Sequence, residues 1–361
     1  VNGIAIAEKA TEGQEARHYA LSFSGLEPGR SYCYRVGDGT AWSEWNIFET
    51  ALATPAPFRF LYLGDVQNDI RALCSRMVRY SSRRLPDARF ILCAGDLVTE
   101  GCNDALWEEF TEAFSVTGYM TPLLPTPGNH DTHHATEEED KAFPYGAAIQ
   151  YHAHFHLPEN GPKESPELKQ EAYYVDYRGV RIISVNSNVF SDDRPTNEAH
   201  KVAWESQLKW LEAVLSNNPN RWTIATHHHP IYSTSKNRDN KIMRDLLQPL
   251  YQKYGVDLVL QGHDHSYGRT HKVWDSKVVD PAAKGIVYAV SVSGPKMYEL
   301  KPKFAQLMAC TTGNKQLYQS ISIDGDTLTY ESHGIDGQRI DGFQLKKDAS
   351  GSTVYRDQQT V

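Results

Sequence analysis

The sequence predicts an α/β fold preceded by a small β module. From about residue 54 onwards, short apolar runs alternate with stretches of helical periodicity, and polar residues follow the ends of most of these runs. Such alternation is typical of strands that are buried beneath helices. The first 53 residues instead combine short alternating runs with turn residues and show no helical period, which is typical of β structure. A Pro-rich segment at 53–57 separates the two parts.

Composition limits the classes of function. Hydrophobic residues make up 40% of the 361 residues and charged residues 23%, an ordinary globular balance that argues against a disordered chain. The formal net charge of −8 argues against a protein that binds nucleic acid through a basic surface. No run of 18 apolar residues occurs, so no membrane span is predicted. The five cysteines include no closely spaced pair, which predicts neither a disulfide framework nor a structural zinc site.

The first 53 residues are predicted to be part of a fibronectin type III-like module. Leu26, Pro28 and Tyr32 precede an alternating strand segment, and their spacing resembles the tyrosine corner of these modules. A complete module has about 100 residues, so we expect a partial one here. A plain β-hairpin is the alternative.

Residues 54–346 are predicted to form one large domain. Its strands are expected at 58–63, 90–94, 180–185, 222–226, 256–260 and 286–292. Two helices are expected where apolar residues recur at helical spacing. These residues are Trp204, Leu208, Leu211 and Leu215 in one helix, and Ile242, Leu246 and Leu250 in the other. Residues 347–361 are expected to be a polar C-terminal tail.

Five apolar runs end in clusters of polar residues. The clusters are Gly64-Asp65-Val66-Gln67, Gly95-Asp96, Gly128-Asn129-His130-Asp131, His227-His228-His229 and Gly262-His263-Asp264-His265. In open α/β folds, ligands bind beyond the carboxyl ends of the strands, so we expect the clusters to converge on one site. Each cluster alone is common in turns and loops, and it is the joint order of all five that predicts a site.

The donor set in these clusters indicates a pair of metal ions. Carboxylates, an amide and imidazoles without sulfur suit Zn, Mn or Fe better than a thiolate site or a calcium cage. A carboxylate can bridge two cations, and His263 and His265, two residues apart, can give one imidazole to each. Paired metals about 3.5–4 Å apart are an established arrangement for phosphoryl transfer.

The order of the motifs resembles that of the calcineurin-like metallophosphoesterases. Within that superfamily, the segment 262–269 resembles the Gly-His-x-His-x-Tyr-x-Arg of purple acid phosphatases. The segments 207–232 and 330–343 and the preceding fibronectin-like part strengthen this resemblance. It implies a four-layer α/β/β/α sandwich and a location outside the cytoplasm, either periplasmic or extracellular.

The resemblance also implies roles for individual residues. Asp96 would be the carboxylate shared by both metals, Asp65 and His265 would hold the first metal, and Asn129, His228 and His263 would hold the second. His228 is chosen within 227–229 because the family has His-x-Pro from its ligand onwards. Further roles are an acid or oxyanion stabiliser for His130, orientation of that ring for Asp131, and substrate contacts for His229, His133 and His134.

Two positions depart from the family pattern. Purple enzymes place a Tyr three residues after the bridging Asp, where this chain has Thr99. Most other metallophosphoesterases have a His where Gln67 stands. Because an amide oxygen can bind a hard cation, Gln67 is expected to be either a weak ligand of the first metal or a hydrogen-bond partner of Asp65. The departures weaken any preference for Fe(III), so we expect two ions of Fe, Zn or Mn that are either both divalent or easily exchanged.

The sequence therefore predicts a dinuclear metal-dependent hydrolase of phosphomonoesters that uses in-line attack by a metal-bridging hydroxide. A phosphodiesterase on the same site is one alternative. A binding or adhesion protein with a degenerate metallo-domain is an alternative of a different class. The expected partner is a small-molecule phosphate ester, and no nucleic acid is expected.

Overall fold

The computed structural model describes residues 4–11, 14–143, 145–191 and 194–358. The N-terminal part consists of two antiparallel hairpins, β1 (Ile4–Thr11) with β2 (Gln14–Ala20) and β3 (Ser31–Tyr34) with β4 (Asn46–Glu49). The backbone N–H of Glu27 donates a hydrogen bond to the Tyr32 hydroxyl at 2.8 Å, a contact of the tyrosine-corner kind. Both a partial fibronectin-like module and plain hairpins agree with this arrangement, so the module stays a prediction.

Two seven-stranded sheets, six α-helices and a small hairpin of β13 and β14 form most of the rest of the described chain. The strands are β5 (Phe58–Leu63), β6 (Ile91–Cys93), β7 (Leu123–Pro125), β8 (Tyr173–Tyr177), β9 (Val180–Ser184), β10 (Trp222–His227), β11 (Leu258–Gln261), β12 (Tyr267–Thr270), β13 (Val273–Trp274), β14 (Lys277–Val278), β15 (Val287–Val290), β16 (Met308–Thr312), β17 (Leu317–Asp324), β18 (Thr327–Gly334), β19 (Arg339–Lys347) and β20 (Thr353–Asp357). The helices are α1 (Ser75–Arg84), α2 (Asp104–Gly118), α3 (Glu137–Ala142), α4 (Ile149–His154), α5 (Glu198–Ser216) and α6 (Lys241–Tyr254).

The two sheets pack face to face. One has the strand order β16-β12-β15-β11-β10-β9-β8, and the other has β20-β19-β18-β17-β5-β6-β7. Their inner faces share one apolar core, to which Phe60 and Leu92 contribute from one sheet and Ile224 and Leu260 from the other. Separate apolar clusters join α5 and α6 to the outer face of the first sheet, and α1 and α2 to that of the second. The order of layers is therefore α/β/β/α, which confirms the predicted α/β fold.

The central strands of each sheet are parallel, which places their carboxyl ends at a common edge. In one sheet β5, β6 and β7 run parallel, and in the other β9, β10, β11 and β15 do. These strands consist mostly of apolar residues because both of their faces are covered. All six predicted strands and both predicted helices are present, with ends that differ by a few residues. Among the described residues, no helix is long and apolar enough to cross a membrane.

The predicted C-terminal tail is wrong for residues 353–357, which form the edge strand β20. This strand pairs antiparallel with β19, where Tyr355 lies opposite Leu345, and the Tyr355 side chain is buried in the core between the sheets. An edge strand with one exposed face carries many polar residues, so its composition resembles that of a tail. Residues 359–361 of the predicted tail lie outside the described residues.

Candidate metal centre

Loops from both sheets meet where the parallel strands end. Asp65, Asp96 and Asn129 follow β5, β6 and β7, which are neighbours in one sheet. His228 and His263 follow β10 and β11, which are neighbours in the other. The Nε2 atom of His228 lies 3.2 Å from Asn129 Oδ1, 3.2 Å from Asp96 Oδ1 and 3.1 Å from His263 Nδ1. Side chains from both sheets therefore form one cluster.

The cluster divides into two groups of potential metal ligands that share one carboxylate. Asp96, His228 and His263 form the first group, and Asp65, Asp96 and His265 form the second. Within each group, the candidate donor atoms lie within 4.8 Å of one another. Asp96 belongs to both groups, as a carboxylate that bridges two cations would.

Four of these residues have an unusual backbone conformation. The φ angles are 47° at Asp65, 51° at Asp96, 75° at His263 and 48° at His265, all in the left-handed region that non-glycine residues rarely adopt. Each such residue costs on the order of 1–3 kcal/mol and persists when its surroundings hold it in place. Here the backbone N–H of His263 donates to the Asp65 carboxylate at 2.7 Å. Strain of this kind concentrates at functional sites.

Two glycines allow the backbone to lie directly against the carboxylates. A Cβ atom on Gly128 would be 2.2 Å from Asp96 Oδ1, and one on Gly262 would be 2.6 Å from Asp65 Oδ2. Both distances are shorter than any real Cβ contact, so a larger residue at either position would displace the carboxylate.

His228 has a fixed orientation and a perturbed pKa. Its Nδ1–H donates to the carbonyl oxygen of Ala94 at 2.8 Å, which leaves Nε2 facing Asp96. Burial favours the neutral imidazole, but the charges of Asp96 and Asp65 outweigh it and raise the pKa of His228 to about 9. Conversely, His228 and His130 lower the pKa of Asp96 despite its burial. A metal ion would replace this shared proton, so the charge balance of the cluster fits bound cations.

Gln67 reaches the same cluster. Its Nε2 lies 2.8 Å from Asp96 Oδ2 and 3.3 Å from His265 Nε2, whereas its Oε1 is buried without a partner. The hydrogen-bond partner is therefore Asp96 rather than the expected Asp65. Turning the amide by 180° exchanges the two terminal atoms and would place the oxygen between Asp96 and His265. The amide oxygen of Gln67, which is buried and has no hydrogen-bond partner, is therefore suited to bind a metal ion here.

His130 is held by a carbonyl oxygen and not by Asp131. The Nδ1 atom of His130 lies 2.8 Å from the backbone oxygen of Thr99, which leaves Nε2 unengaged by this contact. The Asp131 carboxylate instead accepts hydrogen bonds from the backbone N–H groups of Leu97 at 3.0 Å and Gly128 at 2.8 Å. The predicted orientation of His130 by Asp131 is wrong, because neighbouring side chains in the 3₁₀ turn His130–Thr132 diverge.

Asp131 therefore fixes the two loops that carry Asp96 and Asn129. Burial and the negative charge of Asp96 raise the pKa of Asp131 to about 7.

The predicted substrate-contacting histidines differ in their position. The ring of His229 lies 4.4 Å from that of His263, and its Nδ1 pairs with Ser187 Oγ at 2.9 Å. The ring of His133 lies 5.1 Å from that of His130 and is exposed. His134 is half-buried, and within the described part of the chain no hydrogen bond joins it to the cluster. The structure thus brings His229 and His133 to the cluster but not His134.

Three residues beside the cluster have no counterpart in the sequence predictions. The ring of Tyr298 lies 4.7 Å from that of His265, and Arg238 Nη1 donates to the carbonyl oxygen of His263 at 2.9 Å. Burial, assisted by the charge of Lys296, lowers the pKa of His265 to about 3. These residues lie outside the motifs of their loops, and the one sequence signal that could have indicated Lys296 and Tyr298 was the basic segment at 295–303.

The Tyr and Arg of the 262–269 motif serve the fold. The guanidinium group of Arg269 binds both carboxylate oxygens of Asp341, at 2.8 and 2.6 Å, and the Tyr267 hydroxyl donates to the same carboxylate at 2.6 Å. Arg269 lies in β12 of one sheet and Asp341 in β19 of the other. The motif therefore joins the two sheets and also supplies His263 and His265 to the cluster.

Comparison with known proteins identifies relatives of this chain by their sequences. The sequence profile of the Calcineurin-like phosphoesterase family matches residues 58–267. The chain is 28% identical to acid phosphatase type 7 of Danio rerio over 298 residues, which cover 76% of this chain and 62% of that protein. It is 27% identical to purple acid phosphatase 21 of Arabidopsis thaliana over 270 residues, which cover 71% of this chain and 54% of that one. The chain thus spans little more than half the length of such relatives.

A solved structure shares the architecture. The purple acid phosphatase PPD1 from yellow lupin seeds superposes with a TM-score of 0.73 at 19% identity, covering 96% of this chain and 69% of that chain. The family profile covers more than half of this chain and all five strand-end clusters up to Tyr267. The chain therefore belongs to the calcineurin-like phosphoesterase family and is similar to its purple acid phosphatase branch.

Proposed function

We propose that this chain is a dinuclear metal-dependent phosphoesterase that hydrolyses phosphomonoesters. The observation that carries the proposal is the Asp96 carboxylate, which two groups of potential ligands share. Asp65, Gln67 and His265 would hold one ion, Asn129, His228 and His263 would hold the other, and both ions are expected to be Fe, Zn or Mn. When bound, such ions lower the pKa of water from about 15.7 to about 7 and offset charge on phosphoryl oxygens.

His130 is the proposed general acid. Because its Nδ1 is engaged by the Thr99 carbonyl oxygen, its Nε2 is available to give a proton to the departing oxygen of the ester. The ring is half-buried and follows the Asn129 ligand directly, so it lies at the border between the cluster and solvent. Proton transfer by a positioned side chain contributes about 10²–10⁴-fold to a rate.

The first prediction concerns His130→Ala. We expect kcat to fall by about 10²–10⁴-fold for an alkyl phosphate, whose leaving group needs a proton. The loss should be tenfold or less for 4-nitrophenyl phosphate, because its leaving group departs as a stable anion. Steady-state kinetics on both esters measure the difference. The control is His18→Ala, a histidine of β2 whose ring lies 5.0 Å from that of His154. Equal losses on the two esters would exclude His130 as the acid.

The second prediction concerns Gln67. Replacing it with Leu removes the amide oxygen while keeping the side chain's size, and we expect one of the two ions to bind about 10–100-fold more weakly. Gln67→His, which restores the residue usual in the superfamily, should keep both ions. Isothermal titration calorimetry with the metal ion measures the affinities of both sites. If Gln67→Leu binds both ions as tightly as the wild type, Gln67 is not a ligand.

Monoester preference is supported by hydrogen-bonding groups beside the cluster, namely His229 and His133. A doubly charged monoester needs more such partners than a diester does. A higher kcat/KM on 4-nitrophenyl phosphate than on bis(4-nitrophenyl) phosphate would support the monoesterase, and the opposite order would favour the diesterase. Near-zero metal content with no turnover of either ester would support a binding protein on this fold.

Export from the cytoplasm is also part of the proposal. It is supported by the purple acid phosphatase-like sequence and by the resemblance of residues 1–53 to fibronectin type III modules. Fractionation of cells that express the native gene tests it, and recovery of the protein with cytoplasmic markers would contradict it.

A further inference from the structure

A positively charged cleft opens beside His265, and the metal-ligand cluster does not account for it. Its volume is about 280 Å³, and it is lined by Ser235, Lys236, Arg238, Tyr298 and Glu299. We call it the cationic cleft and include Lys296, whose Nζ lies 5.4 Å from the centre of the Tyr298 ring. Tyr298 joins the cleft to the cluster, because its ring contacts that of His265 and its backbone N–H donates to the His265 carbonyl oxygen at 3.1 Å.

Positive charges outnumber negative charges in and around the cationic cleft. At its rim Lys236 and Glu299 form an ion pair at 2.7 Å and cancel each other. Arg238 lies over the Tyr298 ring at 5.0 Å and has a buried carboxylate, Asp264, at 3.4 Å. Among the described residues, Lys296 forms no ion pair. Lys296 therefore leaves uncompensated positive charge next to the cluster.

The sequence around Lys296 has the same bias. Residues 295–303 contain three lysines and one glutamate, although the whole chain has a formal net charge of −8. A local positive region on an acidic protein draws anionic ligands toward itself. A guanidinium group and an ammonium group that lie within 5.4 Å of the centre of the same tyrosine ring are also suited to binding an oxyanion.

We propose that the cationic cleft binds a second oxyanion, a carboxylate or a phosphate, carried by the leaving group of the substrate. The preferred substrates would then be phosphomonoesters whose leaving group carries an additional negative charge. Lys296 and Arg238 would contact that charge, and Tyr298 would form the wall between it and the metal centre. The inference rests on the proposed function, because it places the reacting ester at the Asp96 cluster.

Three aryl phosphates that differ in one group test this proposal. They are 4-(carboxymethyl)phenyl phosphate, 4-(phosphonomethyl)phenyl phosphate and the neutral 4-(carbamoylmethyl)phenyl phosphate, in which the methylene keeps the leaving groups similar. We expect kcat/KM to be at least about fivefold higher for a charged ester than for the neutral one. The charged ester that gains more identifies carboxylate or phosphate as the preferred oxyanion.

Lysine variants test whether the cationic cleft causes the preference for charged esters. Lys296→Met should reduce the charged-to-neutral ratio to below twofold, and Lys296→Arg should keep it. Lys301→Met, which removes an exposed lysine of the same segment that does not line the cleft, is the matched control and should also keep the ratio. A wild-type ratio near one, or a ratio that Lys296→Met leaves unchanged, would overturn the proposal.

Binding of non-hydrolysable phosphonates separates this proposal from the proposed function. The analogues replace the ester oxygen with a methylene and carry the same three groups, and calorimetry measures their affinity. Preferential binding of the charged analogues without turnover of any ester would keep the cleft and refute the esterase. Turnover without a charge preference would keep the esterase and refute the cleft. Equal or absent binding of the analogues would also refute the cleft.

Discussion

Asp96→Asn is expected to abolish turnover while the protein stays folded. The amide has nearly the same shape and keeps an oxygen to accept the hydrogen bond from the His130 backbone N–H, which is 3.0 Å away in the wild type. It lacks the negative charge that both groups of ligands share. Because bound ions contribute several kcal/mol to such reactions and 1.36 kcal/mol corresponds to tenfold, we expect kcat to fall by about 10⁴-fold.

Two further measurements make the Asp96→Asn result specific. Metal analysis should show fewer than two ions per chain, and the circular dichroism spectrum should match that of the wild type. Asp87→Asn is a suitable control, since Asp87 is an exposed carboxylate that pairs with Arg59 away from the site. Full activity of Asp96→Asn with two bound ions would refute the role given to this carboxylate.

Asp341→Asn is expected to cause a large loss of stability. Asp341 and Arg269 are both fully buried and form a bidentate ion pair between the two sheets. Removing one charge would leave the buried guanidinium group with the partly exposed Asp357 carboxylate, 3.1 Å away, and breaking a buried pair in this way costs about 3–5 kcal/mol. Urea denaturation should therefore show a clearly lower midpoint. Asp326→Asn breaks the exposed pair with Arg221 and should cost about 1 kcal/mol or less.

The same ion pair predicts a dependence of stability on pH. Burial alone would raise the pKa of Asp341, but the hydrogen bonds and charge of Arg269 outweigh it and lower that pKa below its ordinary value of 3.8. A carboxylate with a lowered pKa stabilises the fold above its unfolded-state pKa and loses this contribution as the pH falls through its folded-state pKa. The free energy of unfolding should therefore fall less in Asp341→Asn than in the wild type when the pH decreases from about 5 to 2. An equal fall in both proteins would contradict this role.

The features of the site that could be predicted from the sequence are those that lie at the ends of parallel strands. A buried parallel strand is a short apolar run, and the polar residues after it must lie at the edge where other parallel strands also end. This reasoning located Asp65, Asp96 and Asn129, and the spacing in 262–269 added His263 and His265. The direction of a side chain within a turn was not predictable in this way. Asp131 was expected to orient His130, but its carboxylate binds backbone N–H groups instead.

Features that depend on the meeting of distant loops were not predictable. Tyr298 and Arg238 reach the cluster from the loops after β15 and β10, at positions that lie outside any motif. The strand β20 was not predicted. Its polar sequence resembles that of a tail, and its strand conformation depends on pairing with β19. Gln67 was recognised as unusual, but its partner, Asp96 in place of Asp65, depends on how two loops approach each other.

Anomalous diffraction from crystals soaked in Mn²⁺ or Zn²⁺ tests the central claim most directly. We predict two peaks, one on each side of the Asp96 carboxylate, with His265 and Asp65 next to one and His228 and His263 next to the other. A single peak, or none near Asp96 at saturating metal, would contradict the dinuclear site and with it the proposed hydrolase.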